Sequence, residues 1–211
     1  MTPLPPRTLE LQNLSGRRGE RLLFEGLTLS VGPGEIAELR GPNGAGKTTL
    51  LLIVAGVLRA LAGTARILGG DAEGRAETDI GYLGHRSAIK PRLTVRENLA
   101  FWAAMNGAPS RSVDPTLEIV GLLPIAGLDA GYLSAGQTRR LAIARLIASD
   151  RPVWLLDEPT ASLDAAGDAL VATLIDAHLD RGGLVLAATH HGLGISHASR
   201  VVTLGQPAVA A

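Results

Sequence analysis

Gly41-Pro-Asn-Gly-Ala-Gly-Lys47-Thr48-Thr49 decides the reading of this chain. A strand, Glu35 to Arg40, precedes it and ends at Gly41, and a helical pattern from Lys47 to about Leu58 follows it. The stretch fits the spacing Gly, four residues, Gly, Lys, Ser/Thr. Each residue type has a physical reason to be there. Glycines let the backbone close around a phosphate chain with successive N–H groups turned inward. Lys47 brings a point charge to the outer phosphates, Thr48 offers a hydroxyl to Mg²⁺, and the helix beginning here adds its positive N-terminal end. The whole segment, Gly41, Pro42, Asn43, Gly44, Ala45, Gly46, Lys47, Thr48 and Thr49, is therefore the candidate cradle for a nucleoside triphosphate. A Gly-rich turn that merely caps a helix is the plainer alternative, and the strand–loop–helix context disfavours it. The chain has 18 Arg but two Lys, Lys47 and Lys90, so one of only two lysines falls where a phosphate needs an ammonium.

Working outward, short β-rich runs alternate with longer helical patterns, the signature of an α/β fold with a mostly parallel sheet flanked by helices. Leu9 to Leu14 and Leu27 to Val31 read as early strands of an antiparallel subdomain. Val153 to Asp157 and Leu184 to Thr189 are apolar runs of the length expected for buried parallel strands. Ala165 to Leu179 carries Leu, Val and Ile at helical spacing between them. Roughly Thr94 to Gly131 is helical in pattern, broken by Pro109, Pro115 and Pro124. The spacing thus predicts one domain over residues 1–211 with a helical insertion at about 90–150.

Val153-Trp-Leu-Leu-Asp157-Glu158 ends a strand in two carboxylates. Alone, such acids read as solvated groups at a strand terminus. Beside a phosphate loop, Asp157 fits a ligand to Mg²⁺ and Glu158 a base accepting a proton from an attacking water.

Composition bounds the rest. Lys plus Arg and Asp plus Glu number 20 each, so the net charge is zero. A nucleic-acid binder neutralising phosphates would carry an excess of basic residues, so no nucleic-acid partner is expected. Aromatic residues are 3% of the chain, which leaves the core to Leu, Val, Ile and Ala. Cysteine is absent, excluding disulfides, thiolate metal sites and a Cys nucleophile; a reducing cytosolic compartment fits. The richest apolar run, Leu50 to Leu58, is about half the ~18 residues a spanning helix needs, and Met1 to Arg7 has no stretch of signal-peptide type.

Further motifs carry a resemblance. Leu133-Ser134-Ala135-Gly136-Gln137 resembles the signature motif of ABC ATPases, whose common form has Gly where this chain has Ala135. Asp157-Glu158-Pro159-Thr160 leads into Ala161-Ser162-Leu163-Asp164, similar to that family's D-loop, and Ala188-Thr189-His190 resembles its switch histidine. The motifs stand in the family's order from Gly41 to His190. The resemblance implies the ABC ATPase fold, a P-loop NTPase with an antiparallel β subdomain and a helical signature subdomain. It also implies ATP and Mg²⁺ as cofactors, with Glu158 and His190 as catalytic residues and Thr48 and Asp157 at the metal. In the family the signature of one subunit completes the site of the other, so a homodimer glued by ATP is expected. Ser134 would cap the signature helix and leave its positive end free for the partner's γ-phosphate. The remaining histidines, His178, His191 and His197, read as core or surface residues.

Ile80-Gly-Tyr-Leu-Gly-His85 occupies the family's Q-loop position, with His85 where most members have Gln. An imidazole, unlike an amide, titrates near neutral pH. Tyr82-Leu-Gly-His85, Lys90-Pro91, Leu93-Thr94 and Glu97-Asn98-Leu99 resemble one subfamily, the ATP-binding subunits of haem exporters in cytochrome c biogenesis. That subfamily usually has Phe where Thr160 stands. The adenine-stacking aromatic of the wider family is missing, with Arg17 and Arg18 near its place, and a guanidinium can also stack on a base. The expected partners are integral membrane permease subunits, at the cytoplasmic face of the bacterial inner membrane. The rival within the class is an ATP-binding subunit for another small molecule. ATPases of this type in DNA repair or translation would need coiled arms or a second cassette, and a small-molecule kinase would leave Leu133 to Gln137 without a role.

Overall fold

The computed structural model describes residues 2–69, 79–85, 87–107 and 112–205. Pro109, expected to break the helical middle, lies outside them, as does Arg86. Two sheets organise the chain. The first is antiparallel, order β2-β1-β4, made by β1 (Thr8–Arg18), β2 (Arg21–Val31) and β4 (Ala62–Leu68). The expected strands at Leu9 to Leu14 and Leu27 to Val31 are the middles of β1 and β2, which run on to meet at a tight turn.

The second sheet is parallel throughout, order β5-β6-β7-β3-β8. Its strands are β3 (Ile36–Arg40), β5 (Ile80–Leu83), β6 (Val153–Asp157), β7 (Leu184–Ala188) and β8 (Ser199–Thr203). β6 and β7 are buried along their whole length, as continuous apolar runs predict. Side chains alternate between two cores. Val153 and Leu155 join Leu39, Leu186 and the helix α1 (Lys47–Val54) under the antiparallel sheet. Trp154 and Leu156 face Leu99, Leu117, Leu141 and Ile175 on the other side. These come from α2 (Val95–Met105), α3 (Val113–Ile119), α4 (Ala135–Ser149) and α5 (Ala165–Asp180). Period 2 along a strand puts successive residues on opposite faces, so one strand serves both layers.

α1 is shorter than its apolar pattern suggests. It ends at Val54 rather than near Leu58, because Ala55 closes the helix and Gly56 turns left-handed at φ 73°. Val57 and Leu58 are consequently exposed. The helical middle follows the sequence reading except at Pro115, which lies in the first turn of α3 instead of breaking a helix, because its missing N–H would have no intrahelical partner there. Thr94 starts α2 with a reciprocal cap, its hydroxyl accepting from the Glu97 N–H while the Glu97 carboxylate accepts from the Thr94 N–H.

Candidate functional site

In open α/β sheets, ligands bind beyond the carboxyl ends of the strands. The register here aligns those ends: Leu39 of β3 pairs with Ala188 of β7, and Ala188 with Asp157 of β6. Three segments therefore emerge side by side: the Gly41 loop from β3, Asp157-Glu158 from β6, and Thr189-His190 from β7.

The loop after β3 is built from backbone no other residue type allows. At Gly41, φ is 144°, and a Cβ would strike the carbonyl oxygen of Leu204. At Gly46, φ is 104°, and a Cβ would lie 2.9 Å from Leu23 Cβ. Gly46 is also the N-cap of α1, and no side chain caps this helix start. Its first N–H groups stay free for an external acceptor. Lys47 is buried to 7% exposure, and its Nζ donates to the carbonyls of Gly41 at 2.8 Å and Pro42 at 3.4 Å. Those bonds hold the ammonium against the loop it serves.

A cleft of about 370 Å³ joins these parts. Its walls include Asn43 to Thr49, His85, Asp157, Glu158 and His190, so the sequence-predicted acids, both histidines and all of the cradle except Gly41 and Pro42 meet in one place. Thr48 Oγ1 donates to Asp157 Oδ2 at 2.9 Å across the cleft. Asp157 is buried, 3% exposed. A hydroxyl and a carboxylate beside a phosphate loop are the hard oxygen donors a Mg²⁺ ion takes when substrate phosphates and waters complete its shell. Among the described residues no group of three or more His, Cys, Asp or Glu side chains could hold a metal ion on its own. Glu158 Oε1 lies 3.3 Å from His190 Nε2. Thr189 sets up the His190 turn, its hydroxyl donating to the His191 carbonyl at 2.7 Å and accepting from the His191 N–H at 3.2 Å.

Two arginines near the cleft behave differently. Arg18, not Arg17, forms part of its wall together with Leu23. Arg17 instead turns to Glu20, 3.9 Å away in an exposed pair.

Residues 133–137 do not line this cleft. Ser134 caps α4 as predicted: its hydroxyl accepts from the Gln137 N–H at 3.2 Å, and the Gln137 side chain accepts from the Ser134 N–H at 2.9 Å. Ser134 and Ala135 are exposed, and Leu133, Gly136 and Gln137 are half-buried. Gly136 packs so closely that a Cβ would sit 3.1 Å from the Ser162 carbonyl, bringing this turn against the segment that leads to Asp164. Asp164 caps α5 by accepting from the Gly167 N–H at 2.8 Å, a bond that lowers its pKa, with Arg140 3.4 Å away.

One residue of the site carried no role in the sequence reading. Arg139 of α4 is 4% exposed, and its guanidinium donates to the backbone carbonyls of Gly84, Asp157, Glu158 and Pro159 at 2.8, 2.8, 2.6 and 3.1 Å. Burial lowers its pKa, opposed by the nearby charges of Asp157 and Glu158. Tyr82 lies in the same field; burial and then Asp157 push its phenol up to about 12. The available signal was an arginine at the helical spacing of Ile143 and Leu146, on the buried stripe of α4.

A family model described as ABC transporter matches residues 24–161 of the chain. The chain belongs to the ABC transporter family. Relatives match the chain over nearly its full length. The cytochrome c biogenesis ATP-binding export protein CcmA of Rhizobium johnstonii is 48% identical over 205 residues, covering 93% of this chain and 94% of its own. The protein of the same name from Nitrobacter winogradskyi is 50% identical over 188 residues, 89% of this chain and 93% of its own. A putative ABC transporter ATP-binding protein of Pyrococcus furiosus shares the fold, with TM-score 0.80 at 24% identity over 93% of this chain and 97% of that one. An ATP-binding subunit of an ABC transporter superposes with TM-score 0.78 at 25% identity, over 86% and 79% of the two chains.

Proposed function

We propose that this chain is the ATP-hydrolysing subunit of a membrane exporter serving cytochrome c biogenesis, with haem delivery as its task. The observation that carries the ATPase part is the convergence of Lys47, the Thr48–Asp157 pair and the Glu158–His190 pair in one cleft. The names of the relatives that match over about nine-tenths of the chain support the biological task.

In this reading the loop N–H groups and Lys47 hold the β- and γ-phosphates, and Thr48 and Asp157 would hold Mg²⁺, which would neutralise phosphate charge. Glu158 accepts a proton from water as the water oxygen attacks the γ-phosphorus. The β–γ bridging oxygen departs with ADP. His190 orients the γ-phosphate and, 3.3 Å away, the Glu158 carboxylate. Arg18 and Leu23, which line the cleft, would meet the base.

Ser134 and Gly136 do not line this cleft and would serve the site of a second copy, so two chains would close head to tail around ATP and reopen on hydrolysis. Asp164, two residues beyond the Ser162 carbonyl that Gly136 packs against, would belong to the same junction. Permease subunits are the family's membrane partners. Among the described residues no helix is long and apolar enough to cross a membrane. In this reading the chain is a peripheral subunit that the permease would hold at the cytoplasmic face of the inner membrane. The segment around His85 would pass motion to the permease. A groove of about 320 Å³ beside it, lined by Ser87, Ala88, Trp102 and Arg145 among others, offers the contact surface.

Glu158→Gln tests the core of this reading. Loss of the proton acceptor should slow hydrolysis ~10²–10⁴-fold while ATP binding persists. Light scattering should then show an ATP-dependent dimer. Undiminished phosphate release by isolated single chains would refute it. For the task, cells lacking the chain should lose covalently haem-bound c-type cytochromes, and Glu158→Gln should fail to restore them.

A further inference from the structure

Glu158 has a backbone that a residue with a Cβ adopts only under constraint. Its φ is 49°, in the left-handed region, where Cβ crowds the neighbouring carbonyl oxygen. Both sides of the residue are held. Its N–H donates to the Ala188 carbonyl of β7 at 2.9 Å, and its own carbonyl accepts from Arg139 Nη2 at 2.6 Å. The same guanidinium reaches the carbonyls on either side, Asp157 and Pro159, and that of Gly84, the residue before His85.

We propose that Arg139 is a positioning residue for hydrolysis: its guanidinium pins the left-handed turn at Glu158 and so aims the carboxylate at His190 and the attacking water. The proposal rests on the reading of Glu158 as the base. A planar fork with five N–H donors can serve several carbonyls at once, which a lysine ammonium on a flexible stem cannot. Because Arg139 sits on the helix that Ser134 caps, a displacement of α4 as a body displaces the Glu158 turn and the Gly84-His85 segment with it. Docking of a second chain's nucleotide at Ser134 is thereby wired to the chemistry in the cleft of the first.

Two readouts test this. Steady-state hydrolysis and equilibrium ATP binding are measured for Arg139→Lys. With the carboxylate misaimed, kcat falls about 100-fold while ATP affinity is unchanged. Urea unfolding is then compared for Arg139→Lys alone and in a Glu158→Gly background. Glycine needs no constraint to hold a positive φ, so the substitution lowers the midpoint less in that background. If Arg139→Lys gives no soluble chain, Arg139→Gln, which leaves no buried unpaired charge, carries the same comparisons. Equal midpoint losses in the two backgrounds overturn the proposal, as do kcat and ATP affinity falling in step. Should Glu158→Gln retain full hydrolysis, the base reading fails, and the unfolding comparison still decides whether Arg139 constrains residue 158.

Discussion

His178 makes the stability of this protein depend on acid in a way that can be worked out beforehand. It lies on the buried face of α5, 3% exposed, with its ring stacked on Trp154 at 3.9 Å between centroids and 12° between planes. Its Nε2 meets the Pro152 carbonyl at 3.2 Å. Burial pushes its pKa down from 6.5 to about 4, the hydrogen bonds opposing only in part. Above pH 6.5 the imidazole is neutral in both folded and unfolded chains and contributes nothing to pH dependence. Between pH 6.5 and 4 the unfolded chain takes up a proton that the native one refuses, so stability falls as the pH falls. At 1.36 kcal/mol per pH unit the full loss is ~3 kcal/mol, of which ~2 kcal/mol is reached by pH 5. In urea that corresponds to a midpoint about 1 M lower at pH 5 than at pH 7.5. His178→Gln isolates the effect. Its amide can still donate to Pro152, and that carbonyl also accepts from the Leu184 N–H at 2.9 Å. The other histidines and the carboxylates are common to both proteins, so the difference between the two pH dependences belongs to residue 178. Urea curves followed by tryptophan fluorescence at the two pH values give it directly. If His178→Gln loses as much stability between pH 7.5 and pH 5 as the parent, burial of a neutral imidazole is not the cause.

Two further outcomes concern the cleft. Thr48→Ala removes the hydroxyl 2.9 Å from Asp157 and should raise the Mg²⁺ concentration for half-maximal hydrolysis at least about tenfold, with metal-free nucleotide binding kept; an unchanged Mg²⁺ titration would remove Thr48 from the cation site. Arg18→Ala should weaken ATP about tenfold, the value of one lost base stack, while tripolyphosphate binds as before and Arg18→Tyr recovers the loss. Equal weakening of tripolyphosphate would place Arg18 on the phosphates instead.

Legibility followed how locally each feature is encoded. The phosphate loop was readable because one contiguous stretch does the work, and its glycines are demanded by backbone geometry at Gly41 and Gly46. β6 and β7 were readable as apolar runs, since a parallel strand covered on both faces has no alternation to confuse. β4 was not: Ala62-Gly-Thr-Ala-Arg-Ile-Leu68 is small and largely exposed, and only pairing with β1 makes it a strand. β8 fails for the same reason, being an exposed edge that β3 holds in place. The cleft's membership was legible motif by motif, but its assembly depends on register between strands about 150 residues apart, which no local pattern contains. Arg139 was opaque because an arginine's ordinary place is solvent, and its buried partners are backbone atoms invisible in side-chain patterns.

Every reacting group hangs from one end of the parallel sheet, and the other end is silent. There the turns are tied by Gly34 N–H to Gly183 carbonyl at 2.7 Å and Leu4 N–H to Arg181 carbonyl at 2.8 Å. The five residues of β3 alone put about 16 Å between that rim and the loop at Gly41. Pro33 is exposed on the quiet rim, and the chain contains no cysteine. A Pro33→Cys protein would thus carry a single thiol for a dye or a surface tether, letting conformational motion be watched without blocking the nucleotide door.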